Sequence, residues 1–183
     1  PSFPINGRIW RFAPREPYTG AVPVLLYHGI NDRNDRYSVS RETFALHMAM
    51  LDAGGYEAIS IEQYLRFRAG DLRGLPPRPI LITFDDGRAD AMIQADTILR
   101  DTQMKATMFV IGEAAAGSLF YYESWKQLRK FARSGRWELA NHTYDLHRSF
   151  DDVKGRPPVS ALVHLERGES VPGYEARIGE DLG

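Results

Sequence analysis

Between Val22 and Ala140 short apolar runs alternate with stretches of helical periodicity, and this rhythm constrains the fold more than any other feature of the chain. Residues 22–27, 56–59, 80–84, 106–111 and 137–140 have the length and apolar content of strands. The first of them is uninterrupted, which suits a strand buried on both faces. The intervening segments read as helices. Ser40 can cap one in which Phe44, Met48 and Leu51 share a face before Gly54-Gly55 ends it, and Ser60 with Gln63 forms a capping box ahead of Ile61, Tyr64 and Leu65. Ala91, Ala95, Ile98 and Leu99 mark a third helix, and Trp125, Leu128, Phe131 and Ala132 a fourth that stops at Gly135. Parallel neighbours need a crossover connection, and helices are the usual way to supply it. Five strands separated by helices therefore predict an α/β fold with a parallel sheet, which the pattern alone leaves free to be open or closed into a barrel.

The flanks are less informative. Residues 1–21 carry prolines at 1, 4, 14 and 17 without periodicity and read as an extended lead-in, with 22–183 as one domain. After Phe150 the periodicity fades into Lys154-Gly155-Arg156-Pro157-Pro158 and a charged, glycine-containing end in which no further strand is predicted. Opening on Pro1, the chain reads as a piece of a longer one, so the lack of a signal peptide carries little weight about compartment. A formal net charge of -1 offers no general attraction to nucleic acid or an anionic membrane. The longest apolar stretches are too short to cross a bilayer, so no transmembrane segment is expected. Zero cysteines removes disulfides, thiolate ligands and a cysteine nucleophile together, leaving histidines and carboxylates to hold any metal.

Functional groups in parallel α/β folds gather at the carboxyl ends of strands. Three such ends here are polar: Tyr27-His28-Gly29, Asp85-Asp86-Gly87, and residues 141–147, which contain His142 and His147. On a helix those two histidines would diverge by about 140°, and on a strand they would face opposite ways, so a loop is needed to bring both to one ion. Two imidazoles and a carboxylate suit a catalytic divalent metal with an open position. The carboxylate would be Asp85 or Asp86, the other being free to act as a base, and His28 is the available acid. His47, between Phe44 and Leu51, reads as a packing residue, and His164 lies in the unpatterned tail. Trp10, Trp125, Trp137 and Tyr121-Tyr122 could stack on sugar rings, but aromatic residues more often serve the core, and they are given no site role.

Thr83-Phe84-Asp85-Asp86-Gly87 and Asn141-His142-Thr143 resemble the first two motifs of the polysaccharide deacetylase, or NodB-homology, family, carbohydrate esterase family 4. Pro23-Val24-Leu25-Leu26-Tyr27-His28-Gly29 and the five-residue histidine spacing are more similar to the branch that deacetylates poly-β-1,6-N-acetylglucosamine, where the acid motif comes first. The resemblance covers about residues 22–149. It implies a distorted (β/α) barrel, with Asp85 as general base, Asp86, His142 and His147 as metal ligands and His28 as general acid. It also implies a divalent metal, zinc foremost with cobalt or nickel as substitutes, an N-acetylated exopolysaccharide as substrate, and an extracellular or cell-envelope location. Peptidoglycan, chitin or another acetylated polymer are alternative substrates, and a non-catalytic carbohydrate-binding domain is the alternative from another class. The family's later arginine, proline and aromatic motif has no counterpart before Gly183, and five strands fall short of the family's barrel, so an incomplete barrel with exposed edges is expected in this chain.

Overall fold

A computed structural model describes residues 2–5, 8–11, 20–33, 35–117, 119–150 and 158–182. The elements in order are β1 (Ser2–Ile5), β2 (Arg8–Arg11), β3 (Val24–Tyr27), β4 (Gly29–Ile30), β5 (Ser38–Val39), α1 (Arg41–Ala53), β6 (Glu57–Ala58), α2 (Ile61–Arg68) and β7 (Pro79–Phe84). Then follow α3 (Ala89–Asp101), β8 (Ala106–Val110), α4 (Gly112–Ala116), α5 (Trp125–Ala132), β9 (Trp137–Asn141), β10 (Ser149–Phe150), β11 (Val159–Ser160) and α6 (Val171–Leu182). Strands β3, β7, β8 and β9 lie side by side in that order and all pair parallel, with β6 adding a short parallel ladder to the start of β7. Each helix that was expected from the apolar spacing forms. The Ser60 hydroxyl accepts from the Gln63 amide at 3.0 Å while the Ser60 amide donates to Gln63 Oε1 at 2.9 Å, and Ser40 caps α1 by accepting from the Thr43 amide at 3.1 Å.

Strand β7 is buried along all of its length, and its last residue, Phe84, sits among Tyr27 (ring centroids 5.3 Å), Phe44 (5.6 Å) and Trp137 (5.2 Å). This aromatic cluster joins β3, α1, β7 and β9. Asp96 of α3 ties the same region together by accepting from Trp137 Nε1 at 3.0 Å and pairing with Arg136 at 2.9 Å. Consequently the carboxyl ends of three strands are held against one core.

Several expectations are corrected. Residues 22–27 are not buried on both faces: Val24 is 46% and Leu26 56% exposed, because β3 has one hydrogen-bonded neighbour and an uncovered face among the described residues. Strand β9 likewise pairs only with β8 among the described residues, so the sheet is the open, incomplete barrel that was expected. The lead-in is not merely extended, since β1 and β2 pair antiparallel from Ser2↔Arg11 to Ile5↔Arg8. The prolines at 1, 14 and 17 lie outside the described residues, as do 154–157. The region after Phe150 contains more structure than periodicity suggests. Strands β10 and β11 pair antiparallel, and α6 has no buried residue. Polar contacts hold that helix: Arg177 pairs with Glu169 at 2.8 Å and donates to the Ala161 carbonyl at 2.8 Å, and the Tyr174 hydroxyl donates to the Leu162 carbonyl at 2.6 Å. Hydrophobic spacing has no way to report such a helix.

Two measurements follow from this packing. Phe84→Ala removes the ring common to the cluster and is expected to destabilise the fold by about 3–5 kcal/mol in denaturant titration; a change below about 1 kcal/mol would mean that the cluster relaxes around the gap. The hydrogen bonds from Arg177 lower the Glu169 pKa from 4.5 to about 2. A depressed carboxylate stabilises above its unfolded value and stops doing so as pH falls through its folded value. Acid titration between pH 4.5 and about 2 should therefore release α6, read by amide exchange, and Glu169→Gln should abolish that transition.

Candidate functional site

Parallel register brings the three polar strand ends together. Tyr27 of β3 is paired with Phe84 of β7, the Asp85 amide donates to the Tyr27 carbonyl at 3.0 Å, and the His142 amide donates to the Val110 carbonyl at 3.0 Å. His28, Asp85, Asp86 and His142 therefore leave their strands at one end of the sheet. The backbone there is tightly bent: Asp86 has φ 76 and Gly87 φ 78, and Thr143 has φ 66, uncommon for a β-branched residue. Such a conformation is kept where surrounding structure enforces it and is typical of ligand-binding loops. Gly29 is required for space rather than for its φ, since a Cβ there would meet Arg88 and Ser38 at 2.3 Å.

His142 and His147 lie in the loop after β9, and their ring centroids are 4.9 Å apart. Asp86 Oδ1 stands 3.6 Å from His142 Nε2 and 3.5 Å from His147 Nε2, and one donor atom from each of the three residues falls within 4.8 Å of the others. Asp86 Oδ1 is buried and has no hydrogen-bond partner. Ligand atoms about 2.0–2.2 Å from a tetrahedral ion are roughly 3.3–3.6 Å from one another, so this spacing and the orphaned carboxylate oxygen fit a divalent cation. Burial pushes the His142 imidazole toward its neutral form, against the pull of Asp85, and a neutral ring is the form that ligates metal.

Asp85 reaches the same cluster on the side of His28. Its Oδ2 is 3.9 Å from His28 Nε2 and 3.9 Å from His142 Nε2, and burial raises its pKa, partly offset by His142 and His28. Among the five residues singled out from the sequence, two carboxylates and three imidazoles thus converge on one site. Beside it is a cavity of about 360 Å³ lined by His147, Asp145, Arg148, Glu113 and Tyr122. Burial and then the Asp86 carboxylate raise the Tyr122 pKa.

The residues set aside fall elsewhere. His47 Nδ1 is 3.0 Å from the Tyr27 hydroxyl, whose pKa burial raises to about 12, and the backbone carbonyl of His164 accepts from Arg177. Trp137 is core, Trp125 is partly exposed, and the side chain of Trp10 lies outside the described residues. Tyr121 and Tyr122, read from the sequence as core, instead line cavities at the site's rim.

One residue had no signal in the sequence at all. Asp181, near the end of α6, accepts from the backbone amides of Tyr144 at 2.7 Å, Asp145 at 2.6 Å and Leu146 at 3.1 Å. Its carboxylate thereby fixes the backbone between the two histidines, satisfying three amides in a turn that cannot satisfy them itself. Asp181→Ala is expected to speed exchange of those amides about 30-fold, which corresponds to about 2 kcal/mol for hydrogen bonds to a charged group, while sheet amides hold. Equal acceleration throughout the molecule would indicate general destabilisation instead.

Residues 73–163 match the family model described as polysaccharide deacetylase. The poly-beta-1,6-N-acetyl-D-glucosamine N-deacetylase of Escherichia coli (strain K12) is 29% identical over 146 residues, covering 72% of this chain and 22% of the relative. The enzyme of that name from Staphylococcus aureus (strain MSSA476) is 28% identical over 123 residues, covering 66% of this chain and 42% of its own. The structure of IcaB from Ammonifex degensii superposes with a TM-score of 0.70 at 29% identity, over 88% of this chain and 64% of that one. This chain spans less than half the length of the curated relatives it matches.

Proposed function

Because the chain belongs to the polysaccharide deacetylase family, we propose that it forms the catalytic portion of an N-deacetylase acting on a polymer of N-acetylglucosamine. The observation that carries this reading is the orphaned Asp86 Oδ1 within 3.6 Å of two imidazoles, with a second carboxylate, Asp85, free to do other work. Asp86, His142 and His147 are the residues that would hold the metal. A divalent ion such as zinc, when bound, would lower the pKa of a water molecule to about 7 and polarise the acetyl carbonyl.

Asp85 accepts the proton from the attacking water, and its raised pKa suits a base that must hold that proton. The water oxygen bonds to the acetyl carbon, and the carbon–nitrogen bond then breaks. His28, 3.9 Å from Asp85, donates the proton that the departing amine requires, leaving acetate and a glucosamine unit. Gly29, by admitting the Arg88 guanidinium behind it, allows the backbone after His28 to lie close to the residues that follow Asp85.

Similarity to proteins named for poly-β-1,6-N-acetylglucosamine supports that polymer over chitin or peptidoglycan as the substrate. Such a polymer places the reaction outside the cytoplasm, in the envelope or beyond it. No helix among the described residues is long and apolar enough to cross a membrane.

Acetate release from N-acetylglucosamine oligomers tests the proposal, using metal-stripped protein with and without zinc, cobalt or nickel. Asp85→Asn should keep the metal and lose turnover by about 10²–10⁴-fold, the usual contribution of a general base. Asp86→Ala and His142→Ala should lose the metal itself, and His28→Ala should slow release without changing metal content. Equal metal loss in Asp85→Asn would contradict the division of roles between the two aspartates. Protein that binds metal and sugar but releases no acetate would instead be a carbohydrate-binding module.

A further inference from the structure

The chain's net charge is -1, yet its cations are unevenly spread. Residues 124–137 hold five Lys and Arg and no Asp or Glu, so the rest of the chain carries 18 cations against 24 acids. Helix α5 lies in this stretch, and every other helix contains at least one acid. Lys126, Arg129, Lys130 and Arg133 are spaced i, i+3, i+4 and i+7, which puts them on one face. All four are exposed, and among the described residues none forms an ion pair or a side-chain hydrogen bond.

Folding does not explain this stripe. The opposite face of α5 supplies the packing, with Leu128 fully buried and the Phe131 ring 6.4 Å from that of Trp137. The helix dipole favours cations in the last turn but opposes Lys126 in the first, and like charges three and four positions apart weaken a helix. Four cations held together against that repulsion call for an anion that the chain does not supply. A helix that lies in a bilayer inserts its apolar face there, and a protein interface is built around an apolar centre. On α5 the apolar residues Leu128 and Phe131 are turned to the sheet, and the exposed residue among the cations is Gln127. A line of phosphates needs only the charges, which Arg meets in bidentate fashion and which release condensed counterions.

We infer that the outer face of α5 binds a phosphodiester polymer, whose phosphates follow the stripe from Lys126 to Arg133, about 10 Å along the helix axis. The acidic remainder of the chain confines the contact to this face. The stripe starts beyond Glu123, whose amide donates to the Gly87 carbonyl, and ends short of Arg136, whose carbonyl accepts from Ala106 at the start of β8. It therefore runs along the side of the sheet and leaves the cluster at the strand ends open. On the deacetylase reading the product is a cationic polymer, which this stripe repels, so the contact is separate from the reaction's own path.

The test uses the full chain and fluorescence anisotropy with labelled oligothymidylate and labelled poly(glycerol phosphate), two sources of the same chemistry. Binding of either supports the inference, and the tighter one identifies the source. With four phosphates of a single strand neutralised, affinity should fall about 50-fold between about 50 and 200 mM salt. Lys126→Gln with Lys130→Gln, which keeps helix propensity, should weaken binding of both polymers and flatten the slope of log K against log salt by about 1.4. Arg66→Gln with Arg68→Gln, the same loss of charge on exposed positions of α2, should leave affinity unchanged. Equal loss in the two double variants would reduce the effect to net charge and overturn the inference, as would affinity that ignores salt or no binding of either polymer at about 50 mM salt. Tighter binding of polyglutamate, or of vesicles containing phosphatidylglycerol, than of both polymers would overturn it too, the partner then being an acidic protein or a bilayer. The salt series and the comparison of probes use the unmodified chain, so both stand even if a variant fails to fold.

Discussion

The buried strand β7 is the constraint on which the rest of this structure depends. It is hydrogen-bonded on both edges, covered on both faces, and ends in Phe84 at the centre of an aromatic cluster drawn from three other elements. The next residue is Asp85. A carboxylate pair placed one step beyond so rigid an anchor inherits its position, in a turn whose Asp86 and Gly87 both take the left-handed region. The parallel ladders then carry this precision sideways, setting His28 beyond β3 and His142 beyond β9 at the same end of the sheet.

What the strands set coarsely, polar contacts refine. His147 is too far along the loop to be positioned by β9, and its loop is held from the far side by Asp181 on a helix that buries no residue of its own. That helix is in turn held by Arg177 and Glu169, so a chain of ion pairs and backbone hydrogen bonds reaches from α6 to the loop that carries His142 and His147. The electrostatics follow from depth. Burial favours a neutral His142 and a proton-retaining Asp85, in keeping with the separate roles of ligand and base proposed for them.

Much of this was legible in the sequence. Strands β7, β8 and β9, helices α1, α2, α3 and α5, and the convergence of His28, Asp85, Asp86, His142 and His147 all follow from apolar spacing, caps and the habit of parallel folds to gather polar groups at strand ends. The misses share a cause. Val24 and Leu26 read as buried because an apolar run carries no information about whether a neighbour covers its second face. Tyr121 and Tyr122 read as core because aromatic residues serve packing and cavity walls alike, and only position separates the two uses.

The sequence by itself determined the alternation of strand and helix, and with it the chemical set at one end of the sheet, because both are written in local spacing and residue type. Tertiary structure alone decided which aspartate stands against both His142 and His147, that a carboxylate near the chain's end clamps the loop between them, and that Glu123 Oε2 is buried without a partner. Each of these depends on side-chain direction or on contacts across long separations, as with the 36 positions between Asp145 and Asp181. Neither periodicity nor composition encodes such contacts, since they arise only when the whole fold has placed the partners within hydrogen-bond reach.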